Sequence, residues 1–119
     1  MACPLFLPST PLNDLYGYYN GECASERSTE ISLDTLKGCC NTGYARKVCP
    51  RAAEADADAI RFLVKAAGGG NVEVAWSIER NHHPVAVGTA QLTEFAARSD
   101  DPLERQARAY ASSLMLLRP

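Results

Sequence analysis

All five cysteines of this chain fall within its first 50 residues, at Cys3, Cys23, Cys39, Cys40 and Cys49. The rest of the 119 residues contain none. Buried cysteine is common in protein cores, but core placement alone does not collect every thiol in one half. The same half carries Pro4, Pro8, Pro11 and Pro50 with Gly17, Gly21, Gly38 and Gly43, and it shows no sustained helical or alternating apolar pattern. Such a loop-rich segment has little regular hydrogen bonding to hold it. A chain of this length that keeps one needs a cross-link or a metal.

The spacing is Cys3-x19-Cys23-x15-Cys39-Cys40-x8-Cys49. It contains no paired C-x2–4-C knuckle of the zinc-finger kind and no C-x2-C-x2-C ferredoxin run. Three local features nevertheless point to a metal centre. Cys3 and Cys49 are each followed by proline, which turns the chain away from a centre. Cys40 is followed by Asn41-Thr42-Gly43, a turn whose N–H groups are expected to point at a thiolate and stabilise it. Phe6, Tyr16, Tyr18, Tyr19 and Tyr44 crowd the same region and are expected to shield the centre from water.

Four thiolates suffice for an all-cysteine site. Adjacent cysteines project differently, so the expected ligands are Cys3, Cys23, Cys40 and Cys49. Cys39 is then packed as a small hydrophobe, or stands in for Cys40. Single ligands on separate loops suit the spaced corners of a [4Fe–4S] cluster. A zinc ion instead asks four sulfurs to meet at about 2.3 Å from one point. Zinc or disulfides remain the alternative. Arg46, Lys47 and Arg51 flank the last ligands, and positive charge there would raise the potential of a cluster.

The second half reads as regular structure. Residues 59–66 place Ile60, Phe62 and Val64 on one side and Arg61 and Lys65 on the other. Gly68-Gly69-Gly70-Asn71 is a turn. In 72–80, Val72, Val74, Trp76 and Ile78 alternate with Glu73, Ser77 and Glu79. Asn81-His82-His83-Pro84 is a second turn, and 85–94 resumes with Val85 and Val87. Three period-2 runs joined by two turns predict a three-stranded antiparallel meander. A helix over 52–67 is the rival reading, and 51–58 is expected to form a short helix after Pro50. Asp101-Pro102-Leu103-Glu104 has the form of a capping box. Leu103, Ala107, Tyr110, Leu114 and Leu117 follow at helical spacing, which predicts a helix over 102–117 covering the meander. The expected fold is a single α+β domain spanning 1–119, with the cysteine-rich segment 1–50 on a scaffold formed by 51–119.

Twelve Lys and Arg against fourteen Asp and Glu give a net charge of −2, which argues against a nucleic-acid partner. No apolar run approaches the length needed to span a bilayer. The N-terminus lacks a basic leader and is broken by prolines, so it does not read as a secretory signal. The expected compartment is the cytoplasm, where thiols stay reduced. The other groups read as ordinary structure. His82 and His83 belong to a turn, and Asp56 and Asp58 lack the further oxygens and glycine of a calcium loop. Gly68–Gly70 has no following Lys-Ser/Thr. Arg98, Arg105 and Arg108 are interleaved with acids, and Ser112 and Ser113 have no histidine partner. The expected function is therefore not that of an enzyme. It is a small iron–sulfur protein for electron transfer or redox sensing with a protein partner. The alternative is an interaction module stapled by zinc or disulfides, with Tyr16–Tyr19 as its contact surface.

Overall fold

The structure is a computed structural model and describes residues 2–12, 17–27, 29–94 and 99–117. Alternating apolar residues produce the expected meander. Strand β3 spans Ala59–Gly68, β4 Asn71–Arg80 and β5 His83–Thr93, paired antiparallel in the order β3-β4-β5. The helix over 52–67 does not form; Ala59–Gly68 is strand, and only Pro50–Ala53 is a short helix, α2. Proline at its first position, where no N–H is needed, sets where it begins.

One face of the meander is buried. Val64, Val74 and Ala90 are register neighbours, as are Val72 and Leu92. The face is covered by α3, Pro102–Ser113, whose Ala107 and Ala111 are fully buried against it. Asp101 caps the helix through Leu103 N–H, as the sequence implies. The helix is shorter than expected. Leu114 is already its C-cap, Met115 turns with φ +60°, and Leu117 returns to the core from outside the helix.

The second hairpin is also tighter than the four-residue turn expected. Only Asn81 and His82 form the loop, with φ of +53° and +63°. Two left-handed residues give the strand twist that a two-residue hairpin needs. An irregularity in pairing between Ile78 and Glu79 then sets Val87 opposite Ser77. Val85 and Val87 therefore face solvent, unlike Val72 and Val74.

The cysteine half contains more regular structure than expected. Strands β1, Phe6–Pro11, and β2, Tyr19–Cys23, form a two-stranded antiparallel sheet. Helix α1, Leu33–Thr35, is capped by Ser32 and runs on into a π-helical turn, Leu36–Cys40. Several attachments join this half to the rest, and three of them hold the start of the chain. Ala2 pairs with Ile60 at the start of β3. Arg105 of α3 donates to Pro8 O at 3.1 and 2.7 Å, and Gln106 donates to Cys3 O at 2.7 Å and Phe6 O at 2.9 Å. Helix α3 thus buries its alanines on the meander and uses two polar side chains to hold the start of the chain. Among the described residues, no helix is long and apolar enough to cross a membrane.

Candidate metal centre

The five thiols converge. Cys3, Cys23, Cys39, Cys40 and Cys49 line one cavity, together with Leu5, Phe6, Thr35, Arg51 and Ala52. All five are free cysteines. The cavity holds about 20 Å³, room for roughly one water-sized body. Among the described residues, no three Cys, His, Asp or Glu side chains already sit at ion-coordinating positions. The cysteines share a cavity, but their sulfurs do not yet meet at a point.

Each cysteine is placed by the local fold around it. Cys3 precedes β1 at the head of a turn in which Phe6 N–H donates to Cys3 O. Pro4 fits the second position of that turn, where a fixed φ is an advantage. The nearby backbone N–H of Leu5 favours the Cys3 thiolate and partly offsets the effect of burial. The N–H groups of Asn41 and Gly43, expected to face a thiolate, instead donate to Leu36 O and Cys39 O, closing the π-helical turn. Gly43 is also wedged against the scaffold. Its φ is +71°, and a Cβ there would lie 2.8 Å from the Ala59 Cβ.

Cys23 ends β2, opposite Phe6 in register, and its sulfur lies 3.1 Å from Ser25 Oγ. Cys39 and Cys40 end the π-helical turn, and both line the cavity despite being adjacent. Cys3 N–H donates to Cys40 O at 3.0 Å, which ties the first cysteine to the fourth. Cys49 is the N-cap residue of α2.

The surroundings are apolar. Cys3, Cys39, Phe6, Leu36, Ala45 and Ala52 form one buried cluster, with Tyr19, Cys40 and Cys49 packed against it. Burial pushes the Cys40 thiol up to about 12 and the Cys3 thiol up to about 11, reinforced by the neighbouring thiols. Burial raises Cys39 as well. Such thiols are protonated at neutral pH and unreactive until a metal displaces the proton.

Of the three cations expected nearby, only Arg51 lines the cavity. It contacts the Cys23 sulfur and pairs with Glu26 at 2.7 Å. Arg46 is instead engaged with Asp58 and Ala55 O, and Lys47 is exposed outside the cavity lining. The expected aromatic shield is also smaller. Phe6 lines the cavity and Tyr19 packs on the cluster. Tyr44 stacks on His82 at 4.6 Å and bonds to Glu79, away from the thiols. Tyr16 lies outside the described residues. Tyr18 and Tyr19 are half-buried, and Tyr19 OH donates to Ala109 O.

Gln106 and Asn41 act as positioning groups; the sequence marks Asn41 only as a turn residue and Gln106 not at all. Gln106 fixes the carbonyl of Cys3. Asn41 joins the turn after Cys40 to β2, accepting from Tyr19 N–H at 2.9 Å and donating to Tyr19 O and Leu36 O. Comparison with protein-family models, with characterised proteins and with solved structures gives no match to this chain.

Proposed function

We propose that the N-terminal half holds a [4Fe–4S] cluster through Cys3, Cys23, Cys40 and Cys49, with Cys39 able to replace Cys40. The protein would then serve in cytoplasmic electron transfer or redox sensing with a protein partner. One observation carries this reading. Five thiols spread from residue 3 to residue 49 line a single cavity, brought there by separate parts of the fold. Ligands spread in this way suit a cluster that takes one thiolate at each corner. So bound, the cluster supplies one-electron chemistry with no open iron.

The residues have defined tasks. The four thiols lose their protons on loading, which their apolar setting otherwise opposes. Ser25 Oγ hydrogen-bonds the Cys23 sulfur, and the Leu5 N–H favours the Cys3 thiolate. Arg51 offsets the negative charge beside Cys23 and so favours the reduced state. Phe6 and Tyr19 exclude water.

A second reading rests on the size of the cavity. At about 20 Å³ it has room for a single ion once the thiols turn inward, whereas a cluster also requires the loops to part. In that reading, four of the thiols hold zinc and the centre serves only to fold an interaction module. Anaerobic purification followed by absorption and metal analysis separates the two. The cluster predicts a broad band near roughly 400 nm with about four irons and four sulfides per chain. A colourless protein with one zinc establishes the second reading. A colourless protein without metal overturns both.

A further inference from the structure

Strand β5 forms one edge of the meander, and among the described residues no strand pairs with its outer side. An open edge presents unpaired N–H and C=O groups, and proteins guard such edges with charges, prolines or bulges. The two edges of this sheet are guarded unequally. Edge strand β3 carries Arg61 and Lys65, its pairing is irregular between Val64 and Ala66, and Ala2 already pairs with Ile60 on its outer side. Strand β5 has no Lys, Arg, Asp or Glu along its 11 residues. Its guards stand only at the two ends. Pro84 and the extra residue Val85 lie at the hairpin end, and at the other end Arg108 of α3 donates to Thr93 O at 2.8 Å. Residues 86–92 between them stay open over roughly 20 Å.

The sheet face beside this edge, turned away from α3, is also open. Leu63 is 66% exposed and Val87 71% exposed. Leu63, Ala75 and Thr89 are register neighbours across the three strands of that face.

We propose that β5 pairs with β5 of a second copy of this chain, antiparallel about a twofold axis, to form a six-stranded sheet. Charge selects the occupant. Pairing 86–92 about its midpoint sets Thr89 opposite itself, Val87 opposite Gln91, Gly88 opposite Ala90 and Ala86 opposite Leu92. Every pair is uncharged, so no like charges meet, and a Thr–Thr pair at the axis is favourable. Pairing through β3 would instead bring Arg61 and Lys65 of both copies to one seam. A twofold axis through Thr89 keeps both α3 helices on one side of the sheet and makes the two open faces continuous on the other. The guarded β3 edges then lie at the outside, so assembly closes at two copies and does not run on into a filament. A strand pair of this length makes a small interface, and the dimer exchanges with monomer. None of this depends on whether the thiols hold a metal.

Sedimentation of the full chain from about 1 μM to about 1 mM tests the proposal. A reductant keeps the five thiols from linking copies covalently. The expected result is a monomer–dimer equilibrium without larger species. In the same samples, amide hydrogen exchange should slow over 83–93 as concentration rises, with no such change in the central strand β4. Thr89→Lys brings two ammonium groups together at the axis and should weaken the dimer about tenfold or more. Thr89→Val keeps the shape and should stay within about threefold of the native chain. Met115→Lys puts the same charge on an exposed apolar residue outside the sheet and should leave the dimer intact. Thr89 is exposed, and an unchanged melting temperature of Thr89→Lys checks that its fold is kept; the exchange measurement on the native chain stands without that variant. A monomer at every concentration overturns the proposal and leaves the edge to a strand of another protein. Full dimerisation of Thr89→Lys, loss of the dimer in Met115→Lys, open-ended assembly, or exchange over 83–93 that ignores concentration also overturns it.

Discussion

At the scale of single residues, the cavity treats the five cysteines unequally. Cys23 sits at a strand end, with Ser25 Oγ and Arg51 against its sulfur. No other thiol occupies β2, so no neighbour can replace it. Cys23→Ala should therefore abolish stoichiometric metal binding and lower the melting temperature; unchanged metal content and stability would refute the four-thiol site. Cys39 and Cys40 differ from it in that both already line the cavity at the end of one π-helical turn. Either single alanine variant should keep partial metal content, while the double variant should keep none. Arg51→Met should lower the reduction potential, because it removes a positive charge beside a centre that gains negative charge on reduction; voltammetry of the loaded protein reads the change. The sequence made the thiols and the Cys-Pro steps visible. It could not show that the Asn41 and Gly43 N–H groups would be spent on carbonyls, since that depends on a π-helical register with no periodic signature.

The elements differ in how openly the sequence declares them. The meander is evident because Val72, Val74, Ile60 and Phe62 alternate over long runs, and α3 is evident from Asp101, Pro102 and its apolar spacing. Strand β1 is hidden because Pro8 and Pro11 suggest a loop. Proline is tolerated there because a two-stranded sheet leaves one edge of each strand without partners. The close pairing with β2 depends on Gly21, which lies opposite Pro8. A Cβ at Gly21 would fall 2.2 Å from Leu7 O and 2.9 Å from the Phe6 ring. Gly21→Ala should thus force the two strands apart and cost about 2 kcal/mol or more, a loss visible in chemical denaturation. The end of α3 was equally hidden. Leu114 and Leu117 continue the helical spacing, but only the turn at Met115 lets Leu117 reach the core, and no glycine or proline marks that turn.

At the scale of the whole molecule, polar groups on α3 anchor the start of the chain, while Ala2 and Tyr44 join the cysteine half directly to β3 and β4. Gln106 and Arg105 reach three carbonyls at Cys3, Phe6 and Pro8. Gln106→Leu leaves carbonyls short of donors and should cost about 1–3 kcal/mol, with metal affinity falling alongside stability because Cys3 loses its anchor. The buried thiols add a dependence on pH. In the metal-free fold Cys3 is pushed up to about 11 and Cys40 up to about 12, while an unfolded chain releases these protons near the ordinary value of 9.0. Between those limits the folded state binds more protons than the unfolded one, so stability falls as pH rises. The contribution is fully present below about pH 9 and is lost as pH climbs through 11 to 12. Every tenfold difference in proton affinity between the two states is worth about 1.4 kcal/mol. Partial exposure of Cys40 trims its share through solvent screening, so the two thiols together account for a few kcal/mol at most. Denaturation of the reduced, metal-free protein at about pH 8 and about pH 10.5 should show this drop, and Cys40→Ala should reduce it. Loaded protein should not show it, because its ligating thiols have already released their protons to solvent on binding the metal. A drop of the same size in loaded and metal-free protein would mean that the alkaline loss arises elsewhere, in the lysines and tyrosines, and that the thiols are not the groups that metal binding deprotonates.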